Sequence, residues 1–309
     1  MDNFIVIFVC LLAGFFCKRL KNFPASSGFA LNSFIIHLSL PALILSQVPN
    51  LIQTLDFHGR WWLPVSMPWL TFLFSFLFFV IIGKKLNWTR AKIGALILTA
   101  GLGNTSFVGF PILEALIGPH AIPIGVMVDQ PGTFLVLSTL GIIVASFFSG
   151  VQVSLKVIAK KIFSFPPFIA LIISIIWVLT GFKGSEVLAP AFNKIASTLV
   201  PLALFTVGFQ LSFDFKILKK RAFALSLGLS FKLLFLPAIF SYLYIKILNA
   251  YDLTVQVTII ESAMATMITS AIVATEFNLD TELANLMVGI GIPLSLISVP
   301  IWNYFLFVR

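Results

Sequence analysis

Asp129, Lys232 and Glu261 are the residues of this sequence best suited to moving a charge. Each stands inside an apolar run: "VMVDQPG", "LSFKLLFLP" and "TIIESAMATMITSA". A carboxyl group in that setting can carry a proton or coordinate a cation, and a lysine can neutralise an acid or meet an anion. Counted at 1.5 Å per residue, all three lie about 14 to 17 Å into their runs, as does His37 of "SFIIHLSLP". Glu114 and Glu276 fall near run ends, within reach of headgroups or water. One lysine cannot pair equally with two acids. Lys232 therefore takes Asp129 or Glu261 as its charge partner, and the other acid is available to a proton or Na⁺. His37 reads as a hydrogen-bonded packing residue or as a member of a proton relay.

A second cluster is "GLGNTSFVGFP", Gly101 to Pro111, in the middle of an apolar segment. Gly101, Gly103, Gly109 and Pro111 weaken helix continuity, and Asn104, Thr105 and Ser106 offer hydrogen bonds. Irregular backbone at membrane depth survives only where it is buried in protein or lines a cavity. A later run, "ESAMATMITSA", is also rich in small and hydroxyl residues around Met264 and Ala265, with Thr266 and Thr269 among them. Close packing through small residues is the plain reading there, and a second helix break the functional one. If both helices are interrupted, the outer half of the first, from about Phe107, and the inner half of the second, from about Met267, aim their N-termini at one point. Exposed N–H groups and positive dipole ends there suit a carboxylate.

The elements that hold these residues follow from composition. Of 309 residues, 59% are hydrophobic and 10% charged, with a mean hydropathy of +1.07, which is the balance of a polytopic membrane protein. At about 20 apolar residues per crossing the chain gives ten spans. They run near 3–18, 26–47, 61–83, 91–117, 120–149, 166–181, 190–211, 222–247, 252–277 and 281–307. The first lacks a basic leader and a cleavage pattern, so it is expected to be retained. Cys10 and Cys17, seven apart on one helix, are too distant for a disulfide.

The net charge of +9 is explained by position. Lys18, Arg19 and Lys21, then Lys84, Lys85, Arg90 and Lys92, then Lys156, Lys160 and Lys161, then Lys216, Lys219, Lys220 and Arg221 follow spans 1, 3, 5 and 7. Arg60, Lys183, Lys194, Lys246 and Arg309 fall on the other side. The positive-inside rule makes the rich side cytoplasmic and puts both termini outside. The basic excess is therefore topology, with no nucleic-acid partner. No GxxxxGK[ST] loop appears, which argues against an ATP-driven pump. No HExxH, GxSxG or paired acidic metal motif appears either, and His37, His58 and His120 are scattered, so an enzyme, a metal site and a cofactor are not expected.

Ten spans divide into five and five, an odd number per half, so the second half runs inverted. A shift of about 160 residues lays Pro41 on Pro201, Met127 on Met287 and Ser138 on Ser298. The expected fold is all-α, with two inverted five-helix repeats, 1–150 and 166–309, joined by a cytoplasmic connection 151–165. Spans 4 and 9 are expected as crossed discontinuous helices.

The residues "LSLPALIL", "GNTSFVGFPILEALIG", "FPPFIALIIS", "VPLALFTVGFQL" and "ATEFNLDTELANLMVGIGIPLSLISVPIW" resemble the auxin efflux carrier family over nearly the whole chain. The resemblance implies a fold like the bile-acid symporters and sodium/proton antiporters. It implies a scaffold from 1–47 and 166–211, a mobile transport domain from 61–149 and 222–307, an elevator-like movement and a homodimer joined through the scaffold. Asn104 matches the family's crossover asparagine, and Asp129-Gln130 looks like the polar pair of span 5. Ala265 departs from the pattern, standing where the family commonly has proline.

The function expected is a secondary carrier for a small organic anion, a mono- or dicarboxylate or an auxin-like acid, in a plasma or bacterial inner membrane. Asn104, Thr105, Ser106, Thr266 and Thr269 would bind the substrate, and Asp129 or Glu261 would couple it to H⁺ or Na⁺. A cation/proton antiporter with Asp129 and Glu261 as its ion site is the alternative.

Overall fold

The fold is that of a computed structural model describing residues 2–20, 22–24, 26–54, 60–151, 154–182, 184–210 and 215–308. Lys21, His58, Lys183 and Arg309, and the side chains of Lys161 and Lys216, lie outside the described residues. The described chain is helical: α1 (Asp2–Cys17), α2 (Ser27–Asn50), α3 (Trp62–Lys85), α4 (Arg90–Gly101), α5 (Thr105–Leu116), α6 (Pro119–Ser149), α7 (Leu155–Phe163), α8 (Pro166–Thr180), α9 (Gly184–Ala196), α10 (Leu199–Gln210), α11 (Leu218–Ile247), α12 (Leu253–Ser262), α13 (Ile268–Glu276) and α14 (Thr281–Val308). Among the described residues six stretches are long and apolar enough to cross a membrane: α2, α3, α6, Val187–Gln210, α11 and α14.

The side chains sort by helical face. On α3, Leu73, Leu77 and Ile81 are exposed at four-residue spacing, while Phe72, Ser75, Phe79 and Gly83 are buried. An exposed stripe of leucine and isoleucine is what lipid requires and water would penalise. The region 155–163, expected as part of a plain connection, is the amphipathic helix α7, with Ile158 buried between exposed Lys156 and Lys160.

Several helices carry widened π turns, and the positions of four of them follow from proline. The turns Ile35–Ser39, Thr105–Gly109 and Phe231–Phe235 each end two residues before a proline, at Pro41, Pro111 and Pro237. Proline donates no N–H and its ring crowds the carbonyl a turn earlier, so the preceding turn opens to accommodate it. The π turn Asp129–Phe134 contains Pro131 itself. His37, Asp129 and Lys232 all sit in such turns.

The chain divides into two compact units. The first comprises Met1–Trp61, Ser106–Val126 and Lys160–Leu211. In it α1 lies against α10, α2 against α8 and α9, and the hydroxyls of Ser39 and Thr198 share a 2.8 Å hydrogen bond. The α1–α10 approach is a backbone contact: a Cβ built on Gly14 would stand 2.0 Å from the Phe205 carbonyl oxygen, and one on Gly208 2.1 Å from that of Leu11. Small residues of this kind let membrane helices approach closely.

The second unit comprises Trp62–Thr105, Met127–Ala159 and Ser212–Arg309. Here α4 is surrounded by α3, α13 and α14, and α12 packs on α3. Phe79 and Phe240 are fully buried, and Phe78 stacks on Phe231 at 4.7 Å between ring centroids. Arg221 of α11 binds Asp280 at 2.9 Å and Glu282 at 3.2 Å, tying α11 to the start of α14.

Candidate functional site

The centre of the second unit is a crossing of two interrupted helices. Helix α4 stops at Gly101, Leu102 is extended, and α5 begins at Thr105. Helix α12 stops at Ser262, Met267 is extended, and α13 begins at Ile268. The two gaps satisfy each other. Asn104 N–H donates to the Ala265 carbonyl at 2.7 Å, Met267 N–H donates to the Leu102 carbonyl at 2.9 Å, and Gly103 faces Thr266 in an antiparallel bridge. The Thr266 hydroxyl adds a 2.8 Å bond to the Thr99 carbonyl. Unwound backbone in an apolar interior needs such partners, so each break is sustained by the other.

The second break occurs without a proline or a glycine, which shows why Ala265 suffices there. The first is shorter than the glycine and proline pattern suggests: α5 resumes at Thr105 instead of near Phe107. Gly109 and Pro111 lie within it, because the π turn Thr105–Gly109 accommodates the proline.

Asp129, Lys232 and Glu261 converge on this crossing. They are the only charged side chains fully buried among the described residues: Asp129 is 2% exposed, Lys232 1% and Glu261 0%. Asp129, from α6, accepts hydrogen bonds from the Thr105 hydroxyl at 2.5 Å and from Gln130 Nε2 at 2.5 Å. Lys232, from α11, donates to the Ser262 carbonyl at 3.3 Å, the last residue of α12. A Cβ on Gly103 would stand 3.2 Å from its ammonium, so the glycine leaves room for the cation. Among the described residues Glu261 has no hydrogen-bond partner on either carboxyl oxygen, and the charges of Asp129 and Lys232 both act on it.

The other sequence-selected residues are placed as follows. Asn104 and Thr105 lie in the break and at its exit, both buried, and Thr105 spends its hydroxyl on Asp129. Ser106 is buried and opens the part of α5 that belongs to the first unit. Thr269 is half-buried on the first turn of α13. Met264 and Ala265 are fully buried in the gap. His37 lies in the first unit, where Nδ1 donates to the Ser33 carbonyl at 2.9 Å. Residues the sequence did not single out are Thr99 and Leu102, whose parts, like that of Ser262, are played by carbonyl groups that carry no side-chain signal.

The first unit holds a cavity of about 350 Å³ lined mostly by apolar side chains, Phe110 and Pro201 among them. Gln47, Glu114 and Asn193 supply its polar wall, and Gln47 Nε2 approaches Asn193 Oδ1 at 3.4 Å. That volume is in the range that small-molecule pockets occupy.

Residues 1–303 match the family described as membrane transport protein. The chain belongs to this family, that of the auxin efflux carriers. An uncharacterized transporter of Methanocaldococcus jannaschii is 27% identical over 310 residues, covering 99% of this chain and 98% of that one. A second uncharacterized transporter, of Methanothermobacter thermautotrophicus, is 25% identical over 98% of this chain and 97% of its own. Protein PIN-LIKES 5 of Arabidopsis thaliana is 27% identical over 129 residues, 39% of this chain and 30% of that protein. With the family and its apolar helices together, the chain is a multi-pass membrane protein and a transporter.

Proposed function

We propose that this transporter is a secondary carrier for a small organic anion. The observation that carries the reading is the crossing itself, where the N-terminal ends of α5 and α13 start from the paired breaks beside a fully buried lysine. Helix N-termini favour anions, and an interrupted-helix crossing is where carriers of this architecture hold substrate and coupling ion. Asn104, Thr105, Ser106, Thr266 and Thr269 are the residues proposed to contact a mono- or dicarboxylate or an auxin-like acid, with H⁺ or Na⁺ taken at Asp129 or Glu261.

The proposal includes ten spans as two inverted five-helix repeats in a plasma or bacterial inner membrane, both termini outside. A transport domain of 61–149 and 222–307 would move in an elevator-like way against a scaffold of 1–47 and 166–211, within a homodimer. During that movement Ser106–Val126 would leave its present packing against α1 and α10.

Two buried acids acting on one another favour a second reading, a cation/proton antiporter with Asp129 and Glu261 as its ion site. The experiment is to titrate the purified protein in detergent with malonate, malate, lactate and an indole carboxylate, and separately with Na⁺ and Li⁺. Saturable thermal stabilisation by a carboxylate, lost in Asn104→Ala, supports the anion carrier. Proton release on adding Na⁺ or Li⁺, with no response to any anion, refutes it in favour of the antiporter.

A further inference from the structure

We propose that Lys232 is a tethered cation: its ammonium occupies the position at the crossing where a carrier of this architecture would hold a coupling cation, leaving Glu261 as the exchangeable proton site. Location comes first. The ammonium lies 3.3 Å from the Ser262 carbonyl, at the C-terminal end of the interrupted helix α12, and against Gly103 of the opposite break. Carbonyl groups at the C-terminal ends of half-helices and in unwound backbone form the cation sites of such crossings. The lysine is fully buried and reaches this point from a different helix, α11, so the cation is covalently attached.

The two acids differ in what holds their charge. Asp129 has donors in Thr105 and Gln130, which stabilise the ionised form. Glu261 has none on either oxygen and is completely buried, the setting in which a carboxyl group is better neutral than charged. The charged groups that act on Glu261 are Lys232 from α11 and Asp129 from α6. Lys232 and Asp129 cancel each other, and the N-terminal ends of α5 and α13, about half a positive charge each, are balanced by the C-terminal ends of α4 and α12, about half a negative charge each. With Glu261 protonated the crossing therefore carries about no net charge, and with Glu261 ionised about one negative charge, which repels an anion. Binding of a monoanion and protonation of Glu261 then favour one another, so one proton accompanies one anion. This coupling consequence rests on the anion-carrier reading, whereas the cation position does not.

The test is equilibrium binding of radioactive Na⁺ to purified protein in detergent, for wild type, Lys232→Ala and Lys232→Met, with folding checked by gel filtration and thermal melting. Wild type should show no saturable Na⁺ binding and the same melting temperature in NaCl as in choline chloride. Lys232→Ala should bind about one Na⁺ per chain, since the vacated space lies beside the Ser262 carbonyl and within the field of the Glu261 carboxyl group. Lys232→Met, which fills the space without charge, should not. Adding Glu261→Gln to Lys232→Ala removes a carboxyl group from the vacated site and should weaken Na⁺ binding at least tenfold relative to the single variant, which is purified in NaCl if it folds only with Na⁺ present. Saturable Na⁺ binding by wild type overturns the proposal. So does a folded Lys232→Ala that binds neither Na⁺, Li⁺ nor K⁺. These outcomes are independent of which anion is carried, and failure of every anion to exchange would refute the carrier reading while leaving the sodium result intact.

Discussion

Replacing Thr105 by valine keeps the shape of the side chain and removes one hydroxyl, the one that donates to Asp129 across 24 positions of sequence. Both residues are buried, at 2% exposure each, so water does not take the place of the lost donor. A hydrogen bond to a charged group contributes about 1.5–3 kcal/mol, which corresponds to about a 10- to 150-fold change in an equilibrium constant. Thr105→Ser keeps the donor and loses only a methyl group, for about 1 kcal/mol. Reversible unfolding of the two variants in mixed micelles should therefore place Thr105→Val below Thr105→Ser. Since Asp129 and the first residue of α5 are joined by this bond, anion binding should weaken more in the valine variant as well. Equal stability of the two, within about 0.5 kcal/mol, would refute the idea that Thr105 holds the Asp129 carboxylate in its ionised place.

Three further outcomes are expected. Asn104→Ala should fold, with melting close to wild type, and lose anion binding, because the backbone N–H that pairs with Ala265 is retained while the amide is removed; wild-type affinity would reassign the asparagine to structure. Gly14→Ala and Gly208→Ala should each destabilise the first unit by about 1–3 kcal/mol, as the new methyl forces α1 and α10 apart, and a melting scan showing no change would contradict the close backbone approach. Arg221→Gln should cost about 0.5–1 kcal/mol at low salt and less at high salt, because Asp280 remains the cap of α14 through its bond to Leu283 N–H; a salt-independent loss would point to packing instead.

The membrane class and the weak point at Gly101–Pro111 were legible because glycine, asparagine and proline conflict locally with an apolar helix. The extent of that break was less so. Pro111 suggests a wide interruption, yet a π turn absorbs it and only three residues leave the helix. The interruption between Ser262 and Ile268 has no local cause of comparable strength; it exists because Ala265 and Met267 pair with Asn104 and Leu102, about 160 residues away. Depth along each run picked out Asp129, Lys232 and Glu261 but equally His37, which lies exposed in the first unit. Their distinct surroundings were not legible, since the donors to Asp129 and the carbonyl that receives Lys232 depend on tertiary placement. The amphipathic α7 carried a readable signal, Ile158 between Lys156 and Lys160, that basic charge alone had explained as topology.

Counterflow by purified protein in liposomes tests the central claim most directly. Vesicles preloaded in turn with malate, malonate, lactate, pyruvate and an indole carboxylate would be diluted into labelled anion, at two pH values, with and without Na⁺, beside Asn104→Ala. Saturable exchange of one of these anions, indifferent to Na⁺ and lost in the variant, is the expected result. Folded protein that exchanges none of them under any condition would contradict an organic-anion carrier and turn attention to cation exchange at Asp129 and Glu261.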